Sequence, residues 1–317
     1  MEDGVYNDLG KLTKIKIPEN IKSIGNSAFA CCENLTRVEI PNSVTSIGEE
    51  AFISCSSLKN LVIPNSVKNI GIQAFDYCTN LTDVEIPNSV TNMGMWAFKN
   101  CYNLSRVNIP NSITTIPTGA FYFCGSLTDI DIPNSVTSIE AYAFERCYNL
   151  TNIVIPDSVK SIGRKAFKNC VSLIDVRIPR FATSVGEGAF KNCQSLTRVA
   201  IPDSVTSIGK DAFWHCPKLT EINIPQSLTS IEDNTFRNCV SLRNLTISNS
   251  VTSIGSCAFY GCKGLERISI PTSVMSIGKY AFKYCKNLKH IEFNGEVYDS
   301  VDSFMKAFSN YRASQRS

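Results

Sequence analysis

The chain has 317 residues, of which 43% are hydrophobic and 19% charged, with a formal net charge of +3. That is ample apolar material for a core. The small charge and scattered Lys and Arg argue against nucleic acid or an anionic membrane surface as partner. No apolar run approaches the roughly 18 residues a bilayer-spanning helix needs. The opening, "MEDGVYNDLG", is acidic and polar and reads as no signal peptide.

Residues 1–17 read as a truncated first repeat. Leu12, Ile15 and Ile17 fall in phase with the later copies, and Tyr6 and Leu9 stand where those copies carry Phe and Cys. From Pro18 the chain repeats every 23 residues. Pro18, Pro41, Pro64 and their successors to Pro271 keep one phase, with Ser248 in the single missing place. Each copy carries Phe, Cys and Leu at fixed offsets, from Phe29, Cys32 and Leu35 to Phe282, Cys285 and Leu288. Twelve copies cover residues 18–293 without insertion or deletion. No single copy buries that much apolar surface alone, so the copies must stack as a solenoid.

Within a copy, Val38 and Ile40 alternate with polar residues, which is strand period. One strand per copy in constant phase stacks as a parallel sheet. Pro-Asn-Ser is turn chemistry. "VTSIG" is a second extended piece, with Val44 and Ile47 inward. "EEAFISC" is expected to form a short helical turn, with Ala51, Phe52 and Cys55 inward. Gly48 and its equivalents recur in nine of the twelve copies, but Pro117 fills the same column. Proline cannot take φ > 0, so a tight bend is expected there, not a positive φ. Copy eight breaks the turn phrase with Arg180 and Phe181. At the end, Val301, Phe304, Met305 and Phe308 have helical spacing, and residues 294–317 read as a capping helix and tail.

The unit L-x-x-[VIL]-x-I-P-x-S-V-x-x-I-G-x-x-A-F-x-x-C resembles the leucine-rich repeats of the BspA-like family, over about nine tenths of the chain. The resemblance implies an α/β repeat solenoid: a right-handed arc with a parallel β-sheet on its concave face and short helical turns on its convex face. It implies surface display or secretion, adhesion, and protein contact, and it supplies no catalytic residues. Cytoplasmic residence as an interaction scaffold is the alternative, given the polar start.

Twelve of the fourteen cysteines form one column in the apolar phase. They read as buried thiols that act as small hydrophobes. Cys31 and Cys257 lie outside the column and are the expected reactive thiols. His215 and His290 fall in different columns and make no metal pair, and no phosphate loop or catalytic triad is legible. No cofactor and no metal site are expected, and the chain does not read as an enzyme. The sequons at Asn34, Asn80, Asn103, Asn149 and Asn244 arise mostly from the repeat consensus.

The positions that vary while the core columns stay fixed are the candidate surface. On the sheet, the outward columns place Asp83, Glu85, Arg106, Asp129, Asp131, Asp175 and Arg177 in the middle copies. They are read either as a recognition face for a basic or mixed-charge protein, or as charges paired along a solvated ladder. Two carboxylates, Asp129 and Asp131, are too few for a cation site. On the opposite side, Ile53, Ile72, Tyr77, Met95, Trp96, Tyr122, Phe123 and Tyr142 mark an apolar patch for a partner or for self-association. The other reading is that several of them fold back onto the solenoid.

Overall fold

One 23-residue step in sequence is one step in the hydrogen-bond ladder. The computed structural model describes residues 11–315. Tyr6 and Leu9 of the expected partial repeat lie outside these residues. The chain divides into two compact units, Met1–Val159 with Ala166–Ser172, and Lys160–Lys165 with Leu173–Ser317.

In the first unit, strands Lys14–Lys16, Arg37–Glu39, Asn60–Val62, Asp83–Glu85 and Arg106–Asn108 pair in parallel, each residue opposite the one 23 further on. A second parallel ladder joins Ser23–Ile24, Ser46–Ile47, Asn69–Ile70 and Asn92–Met93. In the second unit the first ladder runs through Asp175–Arg177, Arg198–Ala200 and Glu221–Ile222, and again through Asn244–Thr246, Arg267–Ile270 and His290–Phe293. Strand Glu296–Tyr298 then turns back antiparallel on His290–Phe293, a pairing the repeat does not announce.

The fixed columns are the core. Val38, Leu35, Phe52, Cys55 and their equivalents are buried in rung after rung. The phenylalanines form a column of offset stacks, with centroids 5.1 Å apart at Phe29–Phe52 and 5.4 Å at Phe259–Phe282. That is the separation favoured by the aromatic quadrupole. Each buried ring contributes about 1.5–3 kcal/mol from burial alone.

The turn phrase also carries the stack. The Ser66 hydroxyl donates to the Val44 carbonyl at 2.6 Å, and Ser89, Ser112, Ser135 and Ser158 repeat the bond one rung on each time. Phe181, in the Ser position of copy eight, brings no such donor and is exposed.

The helical turns expected at "EEAFISC" are not there. Among the described residues the one α-helix is Val301–Ser314. The segment is instead a run of tight turns with two left-handed residues per rung, at the columns of Glu50 (φ +53°) and Ser54 (φ +59°). The reason lies in the destination of the N–H groups. Those of Ala51, Ile53 and Cys55 bond within the rung, three residues back. Those of Glu50, Phe52 and Ser54 donate to Ile72, Ala74 and Asp76 of the next rung at 2.7–2.8 Å. A helix would keep all of them for itself. Left-handed residues cost of order 1–3 kcal/mol each outside glycine; the inter-rung bonds and the packed core they register offset this.

Gly48 has no positive φ, and its reason for being glycine is close approach. A Cβ there would stand 2.7 Å from the backbone of Gly25 and Asn26 in the preceding rung.

At the C-terminus, Phe304 and Phe308 of the helix Val301–Ser314 are buried. Phe304 meets Phe282 and Phe293 at 6.3 and 5.7 Å. Ser300 caps the helix N-terminus, accepting from the Ser303 N–H. Arg312 donates to the carbonyls of Thr272 and Val274.

Candidate functional site

Outward sheet positions are where the rungs differ. In the first unit, strand pairing sets Asp83 opposite Arg106 and Glu85 opposite Asn108. The Arg106 guanidinium Nε donates to Asp83 Oδ1 at 2.7 Å. That bond, with a second from Thr82, holds the Asp83 carboxyl below the usual carboxylate range. Both side chains are largely in solvent, so the pair is worth little to stability. Asp83 and Glu85 help line a groove of about 660 Å³ together with Glu19, Asn42, Asn60 and Val62, the last 75% exposed.

Asp129 and Asp131 sit where the ladder lapses. Asp129–Asp131 forms no regular strand, and an isolated bridge joins Asp131 to Val154. Asp129 accepts from its neighbour Thr128 at 3.1 Å. Both carboxylates are exposed, and neither forms an ion pair among the described residues. Asp175 and Arg177 belong to the second unit, on strand Asp175–Arg177, where Thr197 donates to Asp175 at 3.0 Å. The seven candidate residues are thus divided between the units. Asp83, Glu85 and Arg106 share neighbouring strands.

Two residues of the outward columns have a structural role that the spacing did not reveal. Asn108 brackets the Ile86 peptide, accepting from its N–H at 2.7 Å and donating to its carbonyl at 2.9 Å. Asn223 does the same to Ile201. In other rungs a backbone carbonyl takes that N–H, as Glu39 does for Ile17, Ala200 for Ile178 and Ser269 for Ile247.

On the other side of the first unit, Trp96, Tyr122, Phe123 and Tyr142 are half-buried and Met95 is 44% exposed, with Ile72 half-buried beside them. The indole of Trp96 stacks on Tyr142 at 5.9 Å and meets Tyr122 edge-on at 5.6 Å. Gly119 makes room for it, since a Cβ there would lie 1.9 Å from the indole. Tyr77, Tyr102 and Tyr148 extend the band. Arg146 lies over Tyr122 and Phe123, and Lys99 over Tyr77 and Trp96. Beneath, the buried carboxylate of Asp76 accepts from Lys99, Asn100 and Gln73, each at 3.0 Å. The sequence named half of this band. Tyr77 is among the residues it named; Tyr102 and Tyr148 escaped because they lie in a column that is mostly polar elsewhere, and Lys99 and Arg146 because a lone charge in a column of mixed character reads as solvated.

All fourteen cysteines are thiols, none joined in a disulfide. The column is more than small hydrophobes. Ten of its thiols donate to the carbonyl of the Phe in the preceding rung, as Cys124 does to Phe98 at 3.2 Å. The bond recurs from Cys55 to Cys170 and from Cys216 to Cys285. Burial pushes the Cys239 and Cys285 thiols up to about 12, and Cys78, Cys101, Cys124, Cys147, Cys216 and Cys262 up as well. Cys31 is exposed and Cys257 half-buried. His290 bonds Glu292 at 2.9 Å and holds that carboxyl below its usual range. Among the described residues no three His, Cys, Asp or Glu side chains are grouped to hold a metal ion, and no helix is long and apolar enough to cross a membrane.

The family model for the BspA type leucine rich repeat region matches the chain over residues 1–125, 114–240 and 206–313. Comparison with curated proteins finds no match. Among solved structures, a leucine-rich repeat protein from Bacteroides ovatus is 31% identical, with 89% of this chain and 79% of that one aligned and a TM-score of 0.79. A leucine rich cell surface protein from Faecalibacterium prausnitzii is 35% identical over 90% of this chain and 88% of that one, with a TM-score of 0.59. A leucine-rich repeat protein from Eubacterium ventriosum shares the fold at 24% identity over 87% of this chain and 84% of that one, with a TM-score of 0.58. With stacked parallel rungs and matches along nearly its whole length, the chain belongs to the BspA-type leucine-rich repeat proteins.

Proposed function

We propose that the chain is a non-enzymatic protein-binding solenoid, displayed at a cell surface or secreted, that acts in adhesion or recognition. In this reading residues 18–293 are its twelve repeats, 1–17 a partial first repeat and 294–317 the cap. Outward positions of the rungs meet a basic or mixed-charge protein, through Asp83, Glu85, Arg106, Asp129 and Asp131 in the first unit and through Asp175 and Arg177 in the second. One observation carries this: side chains that point inward are held nearly constant from rung to rung, while the outward strand positions, such as Asp83, Arg106 and Asp129, change charge and size along the stack. That neither Asp129 nor Asp131 forms an ion pair among the described residues supports it further, since charge spent on ladder pairing would have found cationic partners. The band around Trp96, with Met95 and Ile72, is a second contact surface, for a partner or another copy of the chain. A relative described as a cell surface protein supports display.

Cytosolic interaction is the second reading, favoured by fourteen cysteines without a disulfide, since disulfides are the habit of oxidising compartments. Protease shaving and surface labelling of intact source cells separate the two. Loss of the protein on shaving supports display; full protection sinks it and leaves the cytosolic scaffold. Once a partner is captured, Asp129→Asn with Asp131→Asn should abolish its binding and leave thermal stability unchanged. Undiminished binding removes these carboxylates from the interface.

A further inference from the structure

The last rung leaves its half of the ladder unfinished. In the rung before it, the N–H groups of Cys257, Phe259 and Gly261 donate to the carbonyls of Lys279, Ala281 and Lys283 at 2.8–3.0 Å. The equivalent donors in the last rung belong to Tyr280, Phe282 and Tyr284. None of the three has an acceptor among the described residues, although Ala281, Lys283 and Cys285 between them keep their in-rung bonds. The C-terminal helix does not close this edge. Phe304 covers the core end of the rung against Phe282, and the turn segment beside it stays open.

What remains is a groove of about 480 Å³ between Tyr280–Lys289 and Ser300–Met305. Lys283, Lys286 and Lys289 line it against one carboxylate, Asp302. Tyr280 and Tyr284 are 48% and 50% exposed, and Lys283 lies over both rings. Elsewhere the column of Lys283 alternates cation with aromatic along the second unit, Arg237 lying between Trp214 and Tyr260 at 5.1 and 4.6 Å. At the last rung that packing has nothing on its outer side.

We propose that this groove binds an extended acidic peptide segment of a partner protein, which takes the place of the missing rung. Its main-chain carbonyls accept from Tyr280, Phe282 and Tyr284, and its carboxylates meet Lys283, Lys286 and Lys289. The donors demand acceptors, and the lysines demand negative charge. Three donors at alternate residues, with cations spread beyond them, extend past the reach of a single small anion. This is strand addition transferred to the edge of a turn ladder. The competing reading is lysines that merely keep an open edge in solvent and prevent association.

The test uses the full chain and a fluorescein-labelled synthetic peptide of alternating Glu and Val, with a Lys–Val peptide as control. Fluorescence anisotropy should give saturable binding of the acidic peptide alone. Lys283→Glu with Lys286→Glu, both at exposed positions, should weaken it by about tenfold or more. Asp302→Asn should strengthen it. Hydrogen exchange at the Tyr280, Phe282 and Tyr284 amides, faster in the free chain than at the bonded amides of Ala281, Lys283 and Cys285, should slow when the peptide is added. Absent binding overturns the proposal. So does binding that leaves exchange at Tyr280, Phe282 and Tyr284 unchanged, or equal protection by sodium sulfate alone. Protection that rises with protein concentration without peptide assigns the edge to a second copy and overturns it too. The site is independent of the sheet face, so Asp129→Asn with Asp131→Asn should not alter this binding.

Discussion

Alkaline pH should unfold this chain over a narrow range, because its core is a column of thiols. Eight of them, Cys78, Cys101, Cys124, Cys147, Cys216, Cys239, Cys262 and Cys285, are raised chiefly by burial, two to about 12. An unfolded cysteine titrates near 8.5. Below that pH both states hold these protons and the column contributes no pH dependence. Above it the unfolded chain releases eight protons that the folded chain retains, so stability falls as pH rises and keeps falling until the raised folded values are reached. Between pH 8.5 and 9.5 the loss is roughly 8 kcal/mol, comparable with the whole stability of an ordinary domain. Urea denaturation followed by circular dichroism at steps of pH measures it. Cys124→Ala, which removes one of the eight, should shallow the pH slope in proportion. In parallel, an aromatic disulfide reagent at pH 8 should titrate Cys31 at once and Cys257 more slowly, with the column reacting only on unfolding. A stability that changes by less than about 2 kcal/mol over that pH unit would refute the reasoning. So would rapid modification of the column in the native chain.

The remaining expectations concern single side chains. Leu127→Ala, at a fully buried rung leucine, should cost about 2–5 kcal/mol in chemical denaturation. Ser54→Gly should stabilise by about 0.5–1 kcal/mol, because Ser54 sits at φ +59° and glycine takes that region freely; Ser54→Val should destabilise, and no difference between the two would mean the left-handed turn is not held. Gly119→Ala should drive the indole of Trp96 off Tyr142, costing about 1–3 kcal/mol and shifting Trp emission to the red. An unchanged emission would show that the stack is not what Gly119 accommodates.

The sequence by itself determined the repeat length, the two ladders and the inward columns. Each inward residue faces its own copy one rung away, so one local choice is repeated until it becomes unmistakable. Lys14 to Lys16 pairing with Arg37 to Glu39 follows directly from a period of 23. The turn segment misled for a related reason. Ala51, Phe52 and Cys55 are spaced as on a helix, but whether an N–H bonds within its own rung or to the next is settled only when the next rung is present. The same holds for the cysteine column, whose spacing spoke of burial and whose bond to the Phe carbonyl of the preceding rung needed the stack to exist. On the surface the limit was sharper. The outward column at Asn108 looked like its neighbours and proved to bracket a peptide, while Asp129 and Asp131 proved to lack ion-pair partners among the described residues. Pairing across a ladder depends on side-chain reach and on where strands lapse, and no period in the sequence encodes either. The open edge at Tyr280, Phe282 and Tyr284 belongs to the same class: the period shows that they lie in the last repeat before residue 293, and only the tertiary structure decides that the helix after it leaves their N–H groups without acceptors among the described residues.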